Sequence, residues 1–188
     1  MSGRLIYVIG PSGSGKDSLL RYARERLAGE PWAVFAHRYI TRAADAGGEN
    51  HIELTRVEFA TRLRLGLFAM DWESHAHAYA VGIEIEQWLA LGATVVVNGS
   101  RGYLGEARQR FPELQPVSID VPANVLRERL MARGREDRAA IEQRLERHQA
   151  LQRHPPAGLV IANDGPLERA GEALLEFVRI GAGTPSCA

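Results

Sequence analysis

The chain has 188 residues, 45% hydrophobic and 24% charged, enough for one α/β domain with a substantial core, or one domain carrying a small insertion. Its 23 basic and 23 acidic side chains cancel to a formal net charge of zero, so bulk electrostatics point to neither nucleic acid nor a membrane surface as a partner. The one cysteine, Cys187, has no partner for an internal disulfide, and residues 182–188 read as a disordered tail.

Taken in chain order, apolar runs alternate with helical patterns, as expected of a parallel sheet covered by helices. Leu5–Ile9 reads as a buried first strand, Ser18–Leu27 as a helix and Trp32–His37 as a second strand. Arg38–Asn50, with Gly47-Gly48, reads as polar loop. Thr55-Arg-Val-Glu58 has capping-box spacing and opens a helix to about Leu65. Two short β-like pieces, Leu67–Trp72 and His77–Val81, interrupt the alternation and suggest a small inserted subdomain over about residues 38–82. A helix over Glu84–Leu91 leads to Thr94-Val-Val-Val97, a strand buried on both faces. Tyr103–Arg110 is helical, Pro116–Val121 a strand, Asn124–Arg133 a helix broken by Gly134, and Asp137–Gln152 a further helix. Gly158–Ala162 is the last strand and Leu167–Ile180 the closing helix, with Leu167, Ala170, Leu174 and Val178 on one face. Met1-Ser-Gly-Arg4 shows no secretory or transit pattern, and Trp88–Ser100 is too short and interrupted to span a bilayer. A cytoplasmic location is expected.

Of the 23 basic residues one is lysine, and it stands in Gly10-Pro11-Ser12-Gly13-Ser14-Gly15-Lys16-Asp17-Ser18. The spacing is that of a phosphate-binding loop, here between a predicted strand and a predicted helix. Its N–H groups and the positive helix terminus suit the β- and γ-phosphates of ATP, and a compact ammonium slots between phosphates where a planar guanidinium does not. The residue after the lysine is Asp17 in place of the usual Ser or Thr. A carboxylate is a good ligand for a hard cation, so Asp17 is a candidate Mg²⁺ contact, direct or through water. Its alternative role is favourable charge at a helix N-terminus.

Arg127 to Arg138 places cations around Gly134. Phosphoryl transfer needs positive charge on the migrating group and exclusion of water, and a closing arginine lid over about 133–140 supplies both. Arg133 and Arg135 straddle the break and are the candidates; Arg127, Arg129 and Arg138 read as surface. The polar middle offers Arg38, Arg42, His51, Asp71, His77 and Tyr79 as acceptor contacts, with Asn98 and Arg101 at the carboxyl end of a strand, where ligands of doubly wound sheets bind. His75 and His77 share a strand face, but no third ligand at a convincing spacing supports a structural zinc. This middle holds no obvious general base with an orienting partner. A phosphate acceptor, already anionic at neutral pH, does not need one.

Over roughly Arg4–Ile180 the chain resembles the guanylate-kinase-like branch of P-loop kinases, through the phosphate loop, Thr41-Arg42, Phe68-x-x-x-Trp72, Arg129-Leu-x-x-Arg133-Gly-Arg135, Arg144-Leu145 and Asn163-Asp164. It departs from guanylate kinases at Asp45, where they carry a second arginine, at Asn98, where they carry an aspartate, at Asp17, and at Glu49-Asn50-His51, where they carry a tyrosine-containing segment. With these departures it resembles the ribose 1,5-bisphosphate phosphokinases of phosphonate metabolism. The resemblance implies a three-layer α/β P-loop kinase fold, with a central parallel sheet, a small acceptor-binding subdomain and an arginine lid. It also implies Mg²⁺-dependent transfer of the γ-phosphoryl of ATP to the 1-phosphate of ribose 1,5-bisphosphate, giving 5-phosphoribosyl 1-diphosphate. A GMP kinase is the alternative, since a carboxylate such as Asp71 beside Trp72 is where guanylate kinases read guanine. A non-catalytic guanylate-kinase-like binding module ranks last, because the loop lysine and lid arginines are present.

Overall fold

The computed structural model describes residues 3–43, 49, 51–74, 76–134, 137–152 and 158–180. Nine strands and seven helices occur among them. Five strands form a wholly parallel sheet in the order β2 (Ala33–Phe35), β7 (Thr94–Asn98), β1 (Arg4–Ile9), β8 (Gln115–Asp120), β9 (Leu159–Ala162). β1 lies in the middle with every residue from Leu5 to Ile9 buried, which is why it reads as an unbroken apolar run.

Side chains alternate along β1 between two cores. Ile6 and Val8 face a cluster with Leu19 and Ala23 of α1 (Lys16–Arg26) and Leu174 and Val178 of α7 (Leu167–Arg179). Leu5, Tyr7 and Ile9 face the other side, against Ile85 of α3 (Glu84–Ala90) and Leu104 and Ala107 of α4 (Leu104–Arg110). The result is the three-layer arrangement. α5 (Ala123–Arg133) and α6 (Arg138–Gln152) pack on each other through Leu126, Leu130, Ile141 and Leu145.

A second sheet, ordered β4 (Ile52–Glu53), β3 (Arg38–Ile40), β6 (His77–Gly82), β5 (Phe68–Ser74), stands over one end of the first. Helix α2 (Arg56–Arg64) covers it through Phe59, with Thr55 Oγ1 accepting from the Glu58 N–H as the capping spacing requires. Most other element ends shift by one to three residues, and three differences from the sequence reading bear on the site or the core. Arg38–Ile40 is a strand rather than loop, because its partners Tyr79–Val81 lie some forty residues away and leave no local signal. Helix α1 starts at Lys16, two residues earlier than expected, because Gly15 caps it in the left-handed conformation. The first strand starts one residue earlier, at Arg4, whose guanidinium reaches the Val178 carbonyl at 3.2 Å and Gln115 Oε1 at 2.8 Å. Arg135, His75, and the tail 182–188 lie outside the described residues, as does the side chain of Arg133, the last residue of α5.

Candidate active site

The loop between β1 and α1 is shaped by its glycines and held from outside. Gly15 has φ +82°, and a Cβ there would stand 2.5 Å from Asn163 Nδ2. Asn163, buried just beyond β9, donates from that nitrogen to the Ser14 carbonyl at 2.6 Å, while its own N–H reaches the Asp120 carbonyl at 2.8 Å. Arg129 of α5 also reaches the Ser14 carbonyl, at 3.4 Å, and is half-buried. It is therefore a loop-bracing residue, not the surface cation its helix-face position suggested. Arg127 does lie at the surface, paired with Glu142.

Lys16 is nearly enclosed, with its side chain 12% exposed. Its Nζ donates to Asn98 Oδ1, and Asp17 Oδ1 lies 3.7 Å away. Burial, and then the charge of Arg38, lowers this ammonium from 10.5 to about 8, against the pull of Asp17 and Glu49. A bound polyanion would relieve the site by supplying the missing countercharge. The Asn98 amide nitrogen donates to both Asp17 Oδ1 (3.0 Å) and Glu49 Oε1 (2.8 Å). Glu49 in turn grips Arg38 with both oxygens: Nε donates to Oε1 at 2.6 Å and Nη2 to Oε2.

A cavity of about 860 Å³ opens from the phosphate loop toward the second sheet. Four of the expected acceptor residues line it: Arg38, Arg42, Tyr79 and Arg101. The Nε atoms of Arg42 and Arg101 are buried with no hydrogen-bond partner among the described residues. Burial lowers the pKa of Arg101, with Asp120 opposing. The wall between them is aromatic. Trp72 stacks on Tyr79 (centroids 5.7 Å, planes 3° apart) and on Tyr103 (5.5 Å, 28°), and Arg38 lies 5.1 Å from the Tyr79 ring.

The other four expected acceptor residues do not line this cavity. His51 is buried, with Nδ1 3.1 Å from the Glu49 carbonyl and Nε2 3.0 Å from the Arg42 carbonyl, so it ties those two residues together. His77 Nδ1 lies 2.9 Å from the Thr41 carbonyl and braces the backbone next to Arg42, just beyond β3. Asp71 is half-buried on β5, on the opposite strand face from its neighbour Trp72. Asn98 faces the loop lysine and a smaller adjoining cavity of about 290 Å³. Among the described residues no group of three or more His, Cys, Asp or Glu could hold a metal ion. Glu49, Trp72, Tyr103, Arg129 and Asn163 join the site without having been singled out as contacts. For Glu49 the sequence signals are its place just after two glycines and within the Glu49-Asn50-His51 departure, neither of which names its partners.

A family model described as AAA domain matches residues 6–151. A ribose 1,5-bisphosphate phosphokinase PhnN of Desulfomicrobium baculatum is 59% identical over 93% of this chain and 94% of its own length. The protein of the same name from Thiobacillus denitrificans is 56% identical over 94% and 93%. Among solved structures, guanylate kinase from Anaplasma phagocytophilum superposes with a TM-score of 0.72 at 18% identity, covering 98% of this chain and 88% of that one, and so shares the fold. Identity above one half across nearly the full length of both relatives places the chain in the ribose 1,5-bisphosphate phosphokinase PhnN family.

Proposed function

We propose that this protein transfers the γ-phosphoryl of ATP to the 1-phosphate of ribose 1,5-bisphosphate, giving 5-phosphoribosyl 1-diphosphate and ADP. The observation that carries this is the single cavity joining the phosphate loop to Arg38, Arg42 and Arg101. Three guanidinium groups facing one triphosphate loop suit an acceptor with two phosphates. Tyr79 and Trp72 offer an apolar face to the sugar.

In this reading the acceptor's 1-phosphate oxygen attacks the γ-phosphorus while the bond to the β-bridging oxygen breaks, and ADP carries the electron pair away. The attacking oxygen is already anionic near neutral pH, so no protein base is required. Lys16 and the loop N–H groups hold the β- and γ-phosphates. Arg42 and Arg101 orient the acceptor, Arg38 joins them, and Arg133 and Arg135 would close over the migrating group as a lid of about 133–140.

Asp17, at the start of α1 and facing the cavity, has an oxygen donor suited to Mg²⁺, with the Ser18 hydroxyl beside it. Bound there, the ion would neutralise phosphate charge. Asp17→Asn should raise the Mg²⁺ concentration for half-maximal rate by roughly tenfold. A Mg²⁺ titration at saturating ATP checks this, and an unchanged midpoint removes the role. Among the described residues no helix is long and apolar enough to cross a membrane.

A coupled assay offering ribose 1,5-bisphosphate, GMP, AMP and ribose 5-phosphate with Mg-ATP tests the reading. Ribose 1,5-bisphosphate should turn over fastest. Faster turnover of GMP would make this a nucleotide kinase, and no turnover of any acceptor would point to a binding module.

A further inference from the structure

A continuous chain of hydrogen bonds runs from the phosphate loop to the acceptor sheet. Lys16 donates to Asn98 Oδ1; Asn98 Nδ2 donates to Glu49 Oε1; Glu49 holds Arg38. The cations held at its two ends are those that would bind substrate phosphates. The Asn98 carbonyl accepts the Lys16 hydrogen bond that a phosphate oxygen would accept, and the Glu49 carboxylate grips Arg38 in the forked geometry a phosphate would use. Only an amide at position 98 can accept from the lysine and donate to two carboxylates at once. An aspartate there would set a third carboxylate against Asp17 and Glu49.

We propose that Asn98 and Glu49 form a latch that holds Lys16 off the triphosphate until the acceptor takes Arg38, so that each substrate tightens the binding of the other. The reason is thermodynamic. Asn98 and Glu49 are hydrogen-bonded to each other and so give way as a pair; the first substrate to bind bears the cost of moving that pair, and the second binds to a site already opened. By linkage the effect is the same in either order. Asn98 is then a positioning residue acting through Lys16, and Glu49 one acting through Arg38. ATP alone stays incompletely engaged, which limits transfer of its phosphoryl group to water. The acceptor half of this proposal rests on the function proposed above.

Calorimetric titration with a non-hydrolysable ATP analogue and Mg²⁺ tests it on wild type, Asn98→Ala, Glu49→Gln and the double variant. Wild type should bind the analogue about fivefold more tightly when ribose 1,5-bisphosphate is present. Asn98→Ala and Glu49→Gln should bind it about fivefold more tightly with no acceptor and lose most of the further gain. Removing the Glu49 charge would by itself favour a polyanion, so the charge-neutral Asn98→Ala is decisive. The double variant should bind the analogue at least as tightly as Glu49→Gln, because that single change removes one branch of the fork on Arg38 and leaves Oε1 able to accept from Asn98. Asn98→Ser serves if the alanine variant does not fold. Analogue binding by the Asn98 variants no tighter than wild type, or an acceptor effect they retain in full, overturns the latch. If wild type turns over GMP and not the sugar bisphosphate, the function proposed above fails. The acceptor-free comparison still judges the latch, and GMP replaces the sugar in the other arm.

Discussion

Lys16→Met is expected to lower kcat/KM for ATP by about a thousandfold, the scale seen when one preorganised donor to a developing charge is lost. The ammonium is enclosed beside the loop, where a charge interaction is worth several times its value in water. Both kcat and kcat/KM should fall, because the contact strengthens as charge migrates onto the β-phosphate. Lys16→Arg should recover little, since a planar fork does not fit a pocket already crowded by Asn98, Asp17 and Arg38. The fold should not suffer. The lysine's folded pKa of about 8 lies below its ordinary 10.5, so holding it charged opposes folding below about pH 8. That penalty fades as pH rises from 8 through 10.5. The methionine variant should therefore be at least as stable as wild type at pH 7, with the gap closing toward pH 10.5. Steady-state kinetics and thermal melts across that range check both halves.

Gly99→Ala should have the largest effect on stability. Gly99 follows β7 and donates its N–H to the Val8 carbonyl at 2.8 Å, which draws its backbone against the ring of Tyr7. A Cβ there would stand 2.3 Å from both Cε1 and Cζ of that ring. Tyr7 is wholly buried and cannot swing away, because its hydroxyl accepts from the Ser100 N–H at 2.9 Å and donates to the Ser100 carbonyl at 3.2 Å. Burial also raises the phenol's pKa, so this hydroxyl stays a donor. Overpacking of this kind costs about 3 kcal/mol. In a chain of this size that lowers the thermal midpoint by roughly 6–12 °C. Adding Tyr7→Val, which removes the ring, should make the pair less destabilised than the sum of the single variants. Strict additivity would show that the clash is not the cause.

The phosphate loop was legible because its chemistry is local: the glycines, the lysine and the helix start lie within nine residues. The buried strands were legible for a similar reason, since a strand covered on both faces has to be apolar throughout. Arg38–Ile40 was not, because its strand character depends on pairing with Tyr79–Val81. The acceptor pocket divides in the same way. Arg42 follows from a short motif, but the bracing of His51 and His77 on main-chain carbonyls depends on how distant segments are packed. Arg129 was misplaced because helix periodicity gives a face without saying what stands opposite it. Glu49 was legible as part of the Glu49-Asn50-His51 departure but not as a link, since its partners Arg38 and Asn98 are supplied by β3 and β7.

The grip of Asn163 on the Ser14 carbonyl has a consequence for how the molecule comes into being. The nucleotide loop leaves the ribosome well before the side chain that fixes its shape, which arrives 149 residues later, just beyond the strand at the edge of the sheet. A nascent chain lacking β9 has the complete loop sequence without the clasp that sets its curvature. Affinity for ATP is thus a property of the finished fold, and nucleotide binding reports that the last strand has docked.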